Sequence, residues 1–215
     1  MISPTLVLTV TIFLEPKYST PNTEPLRPPS FVREPNLYLM DEPLSSLDAK
    51  LRESLRVELK NIQTNLNATI LYVTHDQAEA TTLADKIGVL KEGRIVQIGT
   101  PEEIYENPNS IYVSQRLGSP KINILPGSLF GMNDVPTFGI RPENISIATG
   151  NHSAKIISIE NLGSETVVAL NFKDQEILVS IQGNYKSSIN ETINFDINTK
   201  KVLNFDEKGN RIYER

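Results

Sequence analysis

The 215-residue sequence has no cysteine and only two histidines, and both shortages limit the sites that it can build. Without cysteine, the chain forms neither a disulfide nor a thiolate metal site. The two histidines, His75 and His152, lie far apart along the chain, which disfavours a zinc site built from histidine. A chain without disulfides fits a reducing compartment such as the cytosol.

Basic residues are not in excess either. The 21 lysines and arginines are outnumbered by 26 aspartates and glutamates, so the formal net charge is −5. This balance disfavours nucleic acid or an anionic membrane surface as the main partner. The shares of hydrophobic residues, 39%, and charged residues, 22%, are ordinary for a globular protein. The length suits one ordinary domain or two small ones.

The N-terminal region offers one apolar run and then many prolines. Residues 6–14 are apolar and β-branched, but the run is far shorter than the roughly 20 residues that a membrane helix needs. It also lacks the basic flank and the cleavage site of a signal peptide. We therefore expect a buried strand there and no membrane span. The six prolines within residues 16–35 predict an extended linker.

Regular structure is predicted from residue 37 onward. Apolar runs at 37–40 and 70–73 are typical of strands covered on both faces. The segment 47–66 carries apolar residues every three or four positions, which predicts an amphipathic helix; they are Leu51, Leu55, Leu59, Ile62 and Leu66. A short helix at 76–84, a strand at 87–90 and a hairpin to 95–98 follow. This alternation predicts a parallel α/β sheet.

The pattern changes after Gly99. Short helices are predicted at 101–105 and 111–117, and then come short β-type runs separated by glycine, asparagine and aspartate. Such runs indicate a small all-β barrel or sandwich; they lie at 145–148, 155–159, 166–172, 177–181, 192–197 and 201–205. We place the domain boundary near residues 117–121.

Two adjacent carboxylates, Asp41 and Glu42, follow the first strand of the predicted sheet. Because side chains alternate along a strand, one carboxylate can face a metal while the other faces a water molecule. Ligands bind beyond the carboxyl ends of strands in open α/β sheets. Phosphoryl transfer needs one group that holds Mg²⁺ and another that orients the attacking water. An isolated Asp-Glu pair is more simply a solvated acidic turn, so its neighbours decide.

Those neighbours resemble a known family. The segment 37–49, LYLMDEPLSSLDA, resembles the Walker B motif and D-loop of ABC-transporter ATPases. The segment 71–80, LYVTHDQAEA, is similar to their H-loop, and one amphipathic helix separates the two motifs as in the family. GSPKINILPG at 118–127 and GIRPEN at 139–144 resemble the joining region and TOBE domain of carbohydrate-importer ATPases, the maltose, glycerol-phosphate and multiple-sugar group. Spermidine and iron importers share this architecture.

The resemblance implies a fold class and a division of the chain. The fold is α/β, a partial P-loop NTPase parallel sheet followed by a small all-β, OB-like (TOBE) domain. Residues 1–30 form an atypical N-terminal segment, residues 31–117 the C-terminal part of the ABC ATPase domain, and residues 118–215 the TOBE-type domain.

The resemblance also implies roles for single residues. Asp41 would help to hold Mg²⁺ through water, and Glu42 would be the general base or polarise the attacking water. His75 would contact the γ-phosphate of ATP and help to fix the attacking water, whereas a lone histidine at a strand end more often only bonds to backbone. The D-loop, which meets the partner subunit in the ATP-bound dimer, would consist of Ser46, Leu47 and Asp48. We interpret Lys121 and Arg141 as surface charges and not as ligands.

Three motifs of this family have no match in the sequence: the Walker A loop, the Q-loop and the Leu-Ser-Gly-Gly-Gln signature. The family likeness starts at residue 31, which suggests a truncated or frameshifted gene. We therefore expect no useful ATPase activity from this chain alone. In the family, the Walker A strand lies between the His75 strand and the strand at 87–90. Residues 6–14 are expected to take its place.

The leading interpretation is an ATP-binding subunit of a sugar importer, present as a fragment. It would dimerise with an ATPase subunit and bind integral-membrane permease subunits at the cytoplasmic face of the membrane, with an extracytoplasmic solute-binding protein as an indirect partner. The alternative is a non-catalytic remnant or a dimerisation or regulatory module. A solute- or nucleic-acid-binding OB module is disfavoured by the acidic charge and by the lack of aromatic-basic clusters.

Overall fold

The computed structural model describes residues 10–14, 37–66 and 69–213, with residues 10–14 and 64–66 described by their backbone alone. The chain divides into two compact units, Met1–Asn107 and Pro108–Arg215. The predicted domain boundary near residues 117–121 stays a prediction. Within the described ranges, no helix is long and apolar enough to cross a membrane.

In its described residues, the first unit contains five strands and three helices. The strands are β1 (Val10–Leu14), β2 (Tyr38–Asp41), β3 (Ile70–Thr74), β4 (Lys86–Lys91) and β5 (Arg94–Gly99). The helices are α1 (Ala49–Leu66), α2 (Gln77–Leu83) and α3 (Pro101–Glu106). The expected order of strand, long helix, strand, helix and hairpin from residue 37 to residue 99 is confirmed.

The five strands form one sheet in the order β2-β3-β1-β4-β5. Strand β1 pairs with β3 on one side and with β4 on the other. Residues 10–14 therefore occupy the expected place between the His75 strand and β4, while residues 6–9 of that prediction lie outside the described residues. An apolar run is stabilised in such a position because neighbouring strands satisfy its backbone groups on both sides.

Strand directions in this sheet are mixed. Strands β2 and β3 are parallel, whereas β1 is antiparallel to both of its neighbours. Strand β5 is antiparallel to β4 because a two-residue turn joins them, with positive φ at Glu92 (49°) and Gly93 (75°). The α/β fold class is confirmed, and β2, β3 and β4 run in the same direction within it.

The prediction that residues 37–40 are covered on both faces is wrong. Strand β2 lies at the edge of the sheet, and β3 is its one partner in the described part of the chain. The side chains of Leu37 and Leu39 are 46% and 71% exposed. An apolar run predicts burial only when other layers pack on it, and this face of β2 has no such cover from the described residues.

Helix α1 begins with a side-chain cap. The Asp48 carboxylate accepts a hydrogen bond from the Leu51 backbone N–H at 2.9 Å, which satisfies one of the free donors at the helix start. The predicted apolar stripe holds in part, since Leu55 and Leu59 are half-buried but Leu51 is exposed. Farther along the helix, the Lys60 ammonium donates to the Leu83 carbonyl at 2.9 Å, which ties α1 to the end of α2.

The second unit consists mainly of two antiparallel sheets. Its helix is α4 (Ile111–Ser114), and its strands are β6 (Asn123–Pro126), β7 (Thr137–Ile140), β8 (Ile145–Asn161), β9 (Glu165–Phe172), β10 (Gln175–Gln182), β11 (Thr192–Ile197) and β12 (Leu203–Phe205). The sheet orders are β10-β9-β8-β11 and β12-β7-β6. One apolar core contains residues of both sheets, among them Phe138, Ile156 and Phe195. The expected all-β domain is confirmed.

Two buried polar side chains hold this unit together, and one corrects an expectation. Arg141 is not a surface charge: it is 4% exposed, and its guanidinium donates to the carbonyls of Ser114 (3.1 Å) and Leu117 (2.6 Å). It satisfies carbonyls at and just after α4 that the short helix leaves free. The Asn123 side chain bonds both the N–H and the carbonyl of Leu178, which links β6 to β10.

Candidate functional site

A turn after β2 directs Glu42 toward the end of β3. Glu42 has φ of +42°, in the left-handed region that non-glycine residues rarely adopt. Its N–H donates to the Val73 carbonyl at 2.8 Å, which continues the β2–β3 pairing by one residue. Its carbonyl accepts from the N–H (3.2 Å) and the hydroxyl (2.9 Å) of Ser45. These bonds hold a strained backbone conformation in place at the rim of the sheet.

Glu42 and His75 form a hydrogen-bonded pair. His75 follows β3 directly, and its Nδ1 lies 2.9 Å from Oε1 of Glu42. An ionised carboxylate only accepts hydrogen bonds, so Nδ1 is the donor, and Nε2 of the neutral ring keeps its lone pair. The two side chains are 33% (Glu42) and 52% (His75) exposed, so solvent reaches the pair. The structure therefore brings together the two residues that the sequence singled out for water activation.

Asp41 lies next to this pair but is not part of its hydrogen bond. It is the exposed last residue of β2. Together with residues of β2 and β3 it lines a shallow cavity of about 470 Å³; the other lining residues are Leu39, Met40, Leu71 and Val73. Asp41 thus lines the cavity while Glu42 bonds to His75, so the two adjacent carboxylates face different surroundings, as alternation along a strand predicts.

The donor set at this rim can be compared with what Mg²⁺ requires. In the part of the chain that the structure describes, no group of three or more histidine, aspartate or glutamate side chains could hold a metal ion. Mg²⁺ usually keeps several waters and binds through one or two carboxylates together with substrate phosphates. One exposed carboxylate, that of Asp41, fits this mode of binding.

The predicted D-loop connects the Glu42 turn with α1. Ser46 and Asp48 are exposed, and Leu47 is half-buried. The Leu47 N–H donates to the Leu44 carbonyl at 3.2 Å, and Leu44 itself is buried. Since Asp48 caps α1, it has a structural role within this chain, and the predicted contact of these residues with a partner subunit stays a prediction.

A buried cluster behind His75 was missed in the sequence. The carboxyl of Glu79, on α2, is 2% exposed, and its Oε2 accepts hydrogen bonds from Tyr72 Oη (2.9 Å) and Thr74 Oγ1 (2.7 Å). Burial, and then the hydrogen bond to Glu79, raise the pKa of Tyr72 far above its ordinary value. The sequence held a signal for this cluster. Tyr72 and Thr74 are two positions apart on a strand and so lie on the same face, and Glu79 lies about one helical turn after Asp76.

The backbone after His75 is also fixed. The Asp76 N–H donates to Thr74 Oγ1 at 3.0 Å, and the Asp76 carboxylate accepts from the N–H groups of Ala78 (2.7 Å) and Glu79 (3.2 Å). Asp76 is therefore the N-cap of α2. The same carboxylate lies 3.5 Å from the Arg52 guanidinium of α1.

The chain is similar to a known domain family and to several known proteins. Residues 138–197 match the model of the TOBE domain. The chain is 40% identical, over 85% of its length, to the sn-glycerol-3-phosphate import ATP-binding protein UgpC of Rhizobium meliloti (strain 1021). It is 38% identical, over 82% of its length, to the UgpC of Psychromonas ingrahamii, and 37% identical, over 82%, to the ABC transporter ATP-binding protein YurJ of Bacillus subtilis (strain 168).

The chain is similar to the C-terminal portion of these ATP-binding transport proteins. It spans 58%, 55% and 58% of the lengths of these three relatives. The TOBE match lies within the second unit, whereas Glu42 and His75 lie in the first.

Proposed function

We propose that Glu42 and His75 form the water-activating part of an ATP-hydrolysing site in an importer's ATP-binding subunit. The observation that carries the proposal is the 2.9 Å hydrogen bond between His75 Nδ1 and Glu42 Oε1 at the shared end of two parallel strands. Ligands of open α/β sheets bind at this end. The similarity to import ATP-binding proteins supports the same reaction class.

In the proposed reaction, each side chain of the pair has its own role. In hydrolysis, the oxygen of water bonds to the γ-phosphorus of ATP as the bond from that phosphorus to the β,γ-bridging oxygen breaks. Glu42 accepts a hydrogen bond from the attacking water and takes up its proton, or polarises the water while the proton passes to phosphate. His75, oriented by Glu42, presents Nε2 to the water or, when protonated, to the γ-phosphate.

Asp41 would hold Mg²⁺ through water, and bound Mg²⁺ would neutralise charge on the ATP phosphates. The carboxylate of Asp41 is exposed, so this role requires no displacement of a buried partner. Ser46, Leu47 and Asp48 would face a second ATPase subunit, since they form an exposed or half-exposed segment directly after the Glu42 turn.

Phosphate binding has to come from residues outside this sequence, because the sequence contains no Gly-x-x-x-x-Gly-Lys-Ser/Thr loop. Four charge-assisted hydrogen bonds from such a loop would contribute about 6–12 kcal/mol at roughly 1.5–3 kcal/mol each. That energy corresponds to roughly four to nine powers of ten in affinity. The 215-residue chain by itself therefore hydrolyses no ATP at a useful rate.

The assembly that we propose is the one that the resemblance to sugar-importer ATPases implies. The subunit binds integral-membrane permease subunits at the cytoplasmic face of the membrane and pairs with a second ATPase subunit. An extracytoplasmic solute-binding protein delivers the solute, a sugar or glycerol phosphate. A second candidate, a non-catalytic dimerisation or regulatory module, is favoured by the second unit, whose two sheets share their own apolar core.

A chimaera tests the catalytic proposal. Residues 37–107 of this chain replace the aligned segment of the Rhizobium meliloti relative, and ATPase activity is compared with that of the relative itself. We expect activity within about tenfold, and we expect Glu42→Gln in the chimaera to lower kcat by about 10²–10⁴-fold, the usual contribution of a general base. Glu58→Gln, an exposed position on α1, is the matched control. An active chimaera that tolerates Glu42→Gln would reject the role of Glu42.

A further inference from the structure

The carboxyl of Glu79 has no task in the proposed hydrolysis, yet it is buried. A buried carboxyl is costly unless hydrogen bonds compensate for the water that it loses. Here both bonds to Oε2 come from hydroxyls of β3, Tyr72 at 2.9 Å and Thr74 at 2.7 Å. The carboxyl thus joins the first turn of α2 to the last residues of β3.

These bonds hold the residues on either side of His75. Thr74, the residue before His75, donates to Glu79 and accepts from the N–H of Asp76, the residue after it. Asp76 in turn caps α2 through the N–H groups of Ala78 and Glu79. The chain on both sides of His75 is therefore fixed to one buried carboxyl and one helix cap.

His75 itself needs such support. About half of its side chain is exposed, so packing does not hold the imidazole, and its distance to Glu42 depends on where the backbone places Cα and Cβ. Glu42 approaches from a separate strand, with its own backbone in a strained conformation. A displacement of about 1 Å at the end of β3 would break a 2.9 Å hydrogen bond between the two.

We propose that Glu79 is a positioning residue for His75, and that it acts through the hydroxyls of Thr74 and Tyr72. By binding both hydroxyls, it sets the point at which β3 ends and α2 begins, and so aims Nδ1 of His75 at the Glu42 carboxylate. Any effect of Glu79 on catalysis rests on the proposed function of Glu42 and His75. The positioning itself is a property of this chain and can be measured without ATP.

The chain is well suited to that measurement, because it has only two histidines. An NMR spectrum of the full 215-residue chain, labelled with ¹⁵N at its imidazoles, contains two ring systems. His75 reports on the site, and His152, in the second unit, is an internal reference that the variants should leave unchanged. Backbone amide signals of residues 37–107 report whether the first unit is folded. At a pH where imidazoles are neutral, we expect the Nδ1–H tautomer at His75 in the wild type, because the Glu42 carboxylate needs a donor there.

Two matched pairs of variants test the proposal. Thr74→Val removes the hydroxyl at nearly constant shape, and Thr74→Ser restores it. Glu79→Met removes the acceptor, and Glu79→Gln keeps a carbonyl oxygen that can accept. We expect the Nδ1–H fraction of His75 to fall at least about twofold in Thr74→Val and Glu79→Met and to stay near the wild-type value in Thr74→Ser and Glu79→Gln.

A separate variant keeps this test distinct from that of the proposed function. Glu42→Met, which removes the acceptor, should change the tautomer of His75 directly. If Glu42→Met changes it but Thr74→Val and Glu79→Met do not, in chains whose first unit gives native backbone amide signals, Glu79 is no positioning residue and the proposed function stands. If Glu42→Met leaves His75 unchanged, the pair itself is absent and both proposals fail. Should Thr74→Val and Glu79→Met not fold, Tyr72→Phe, which removes one of the two hydroxyls, decides by the same criterion.

Discussion

Glu42 and His75 are 33 positions apart in the sequence, and their side chains meet at 2.9 Å. The meeting follows from parallel pairing, because the register that sets Asp41 opposite Val73 brings the next residues of both strands to one edge of the sheet. The left-handed backbone of Glu42 then turns its carboxylate toward β3. A simple strand register and one strained residue together create the pair.

The strain at Glu42 should be measurable as stability. A non-glycine residue in the left-handed region costs roughly 1–2 kcal/mol relative to glycine, which adopts it freely. We expect Glu42→Gly to be more stable than Glu42→Ala by about 1 kcal/mol, since both variants lose the carboxylate but only alanine keeps the strained backbone. Urea unfolding of the two variants measures the difference. Equal stability would mean that φ at residue 42 relaxes at no cost.

The buried Arg141 should contribute far more to stability than its charge suggests. Arg141→Met removes the donors to the carbonyls of Ser114 and Leu117 and leaves both acceptors without that partner. We expect a loss of about 2–4 kcal/mol in the free energy of unfolding. Lys121→Met, at an exposed position, is the control and should change it by about 0.5 kcal/mol or less. Similar losses in both variants would contradict a specific role for the buried guanidinium.

The sequence predicted strands correctly where an apolar run is followed by polar residues. The apolar runs ending at Met40 and Val73, each followed by polar residues, sufficed to predict two strands. That Glu42 and His75 belong to one site followed from the resemblance of the motifs around them. The run containing residues 10–14 predicted a strand in the correct place. Its antiparallel direction could not be predicted, because apolarity reports burial and not the sense in which a strand runs.

Other features depend on contacts that no local pattern encodes. Strand β7 escaped prediction because it has four residues and contains Gly139, where a Cβ would lie 2.8 Å from Ile122. The burial of Arg141 depends on which carbonyls a helix of four residues leaves free. The exposure of Leu39 depends on what packs beside β2, and an apolar run cannot report on that.

Gly150 and Gly163 form a matched pair in the second unit. Both have positive φ, 103° and 90°, but a Cβ at Gly150 would lie 2.5 Å from the Phe195 carbonyl oxygen, whereas a Cβ at Gly163 would meet no atom within 4 Å. Gly163→Ala should cost about 1 kcal/mol for its backbone alone. Gly150→Ala should cost at least about 2 kcal/mol more, because the β8–β11 pairing has to shift. Thermal unfolding of both variants tests this, and equal costs would contradict the close approach.

Tyr72 predicts how the first unit responds to alkali. Its pKa is raised in the folded chain, chiefly by burial and then by the hydrogen bond to Glu79, so the native state favours the neutral phenol. Its contribution to stability is complete below the unfolded pKa of about 10 and is lost as the pH rises above that value. Each pH unit above that value lowers the free energy of unfolding by about 1.4 kcal/mol through this group.

The variant Tyr72→Phe has no phenol to ionise. Its free energy of unfolding should therefore fall less steeply with pH than that of the wild type, by about 1.4 kcal/mol per pH unit. Urea unfolding at several alkaline pH values compares the two slopes, with Tyr213→Phe, an exposed tyrosine, as the control that should keep the wild-type slope. Parallel slopes for the wild type and Tyr72→Phe would show that the phenol ionises as easily in the folded chain as in the unfolded one, and the buried bond to Glu79 would then be absent in solution.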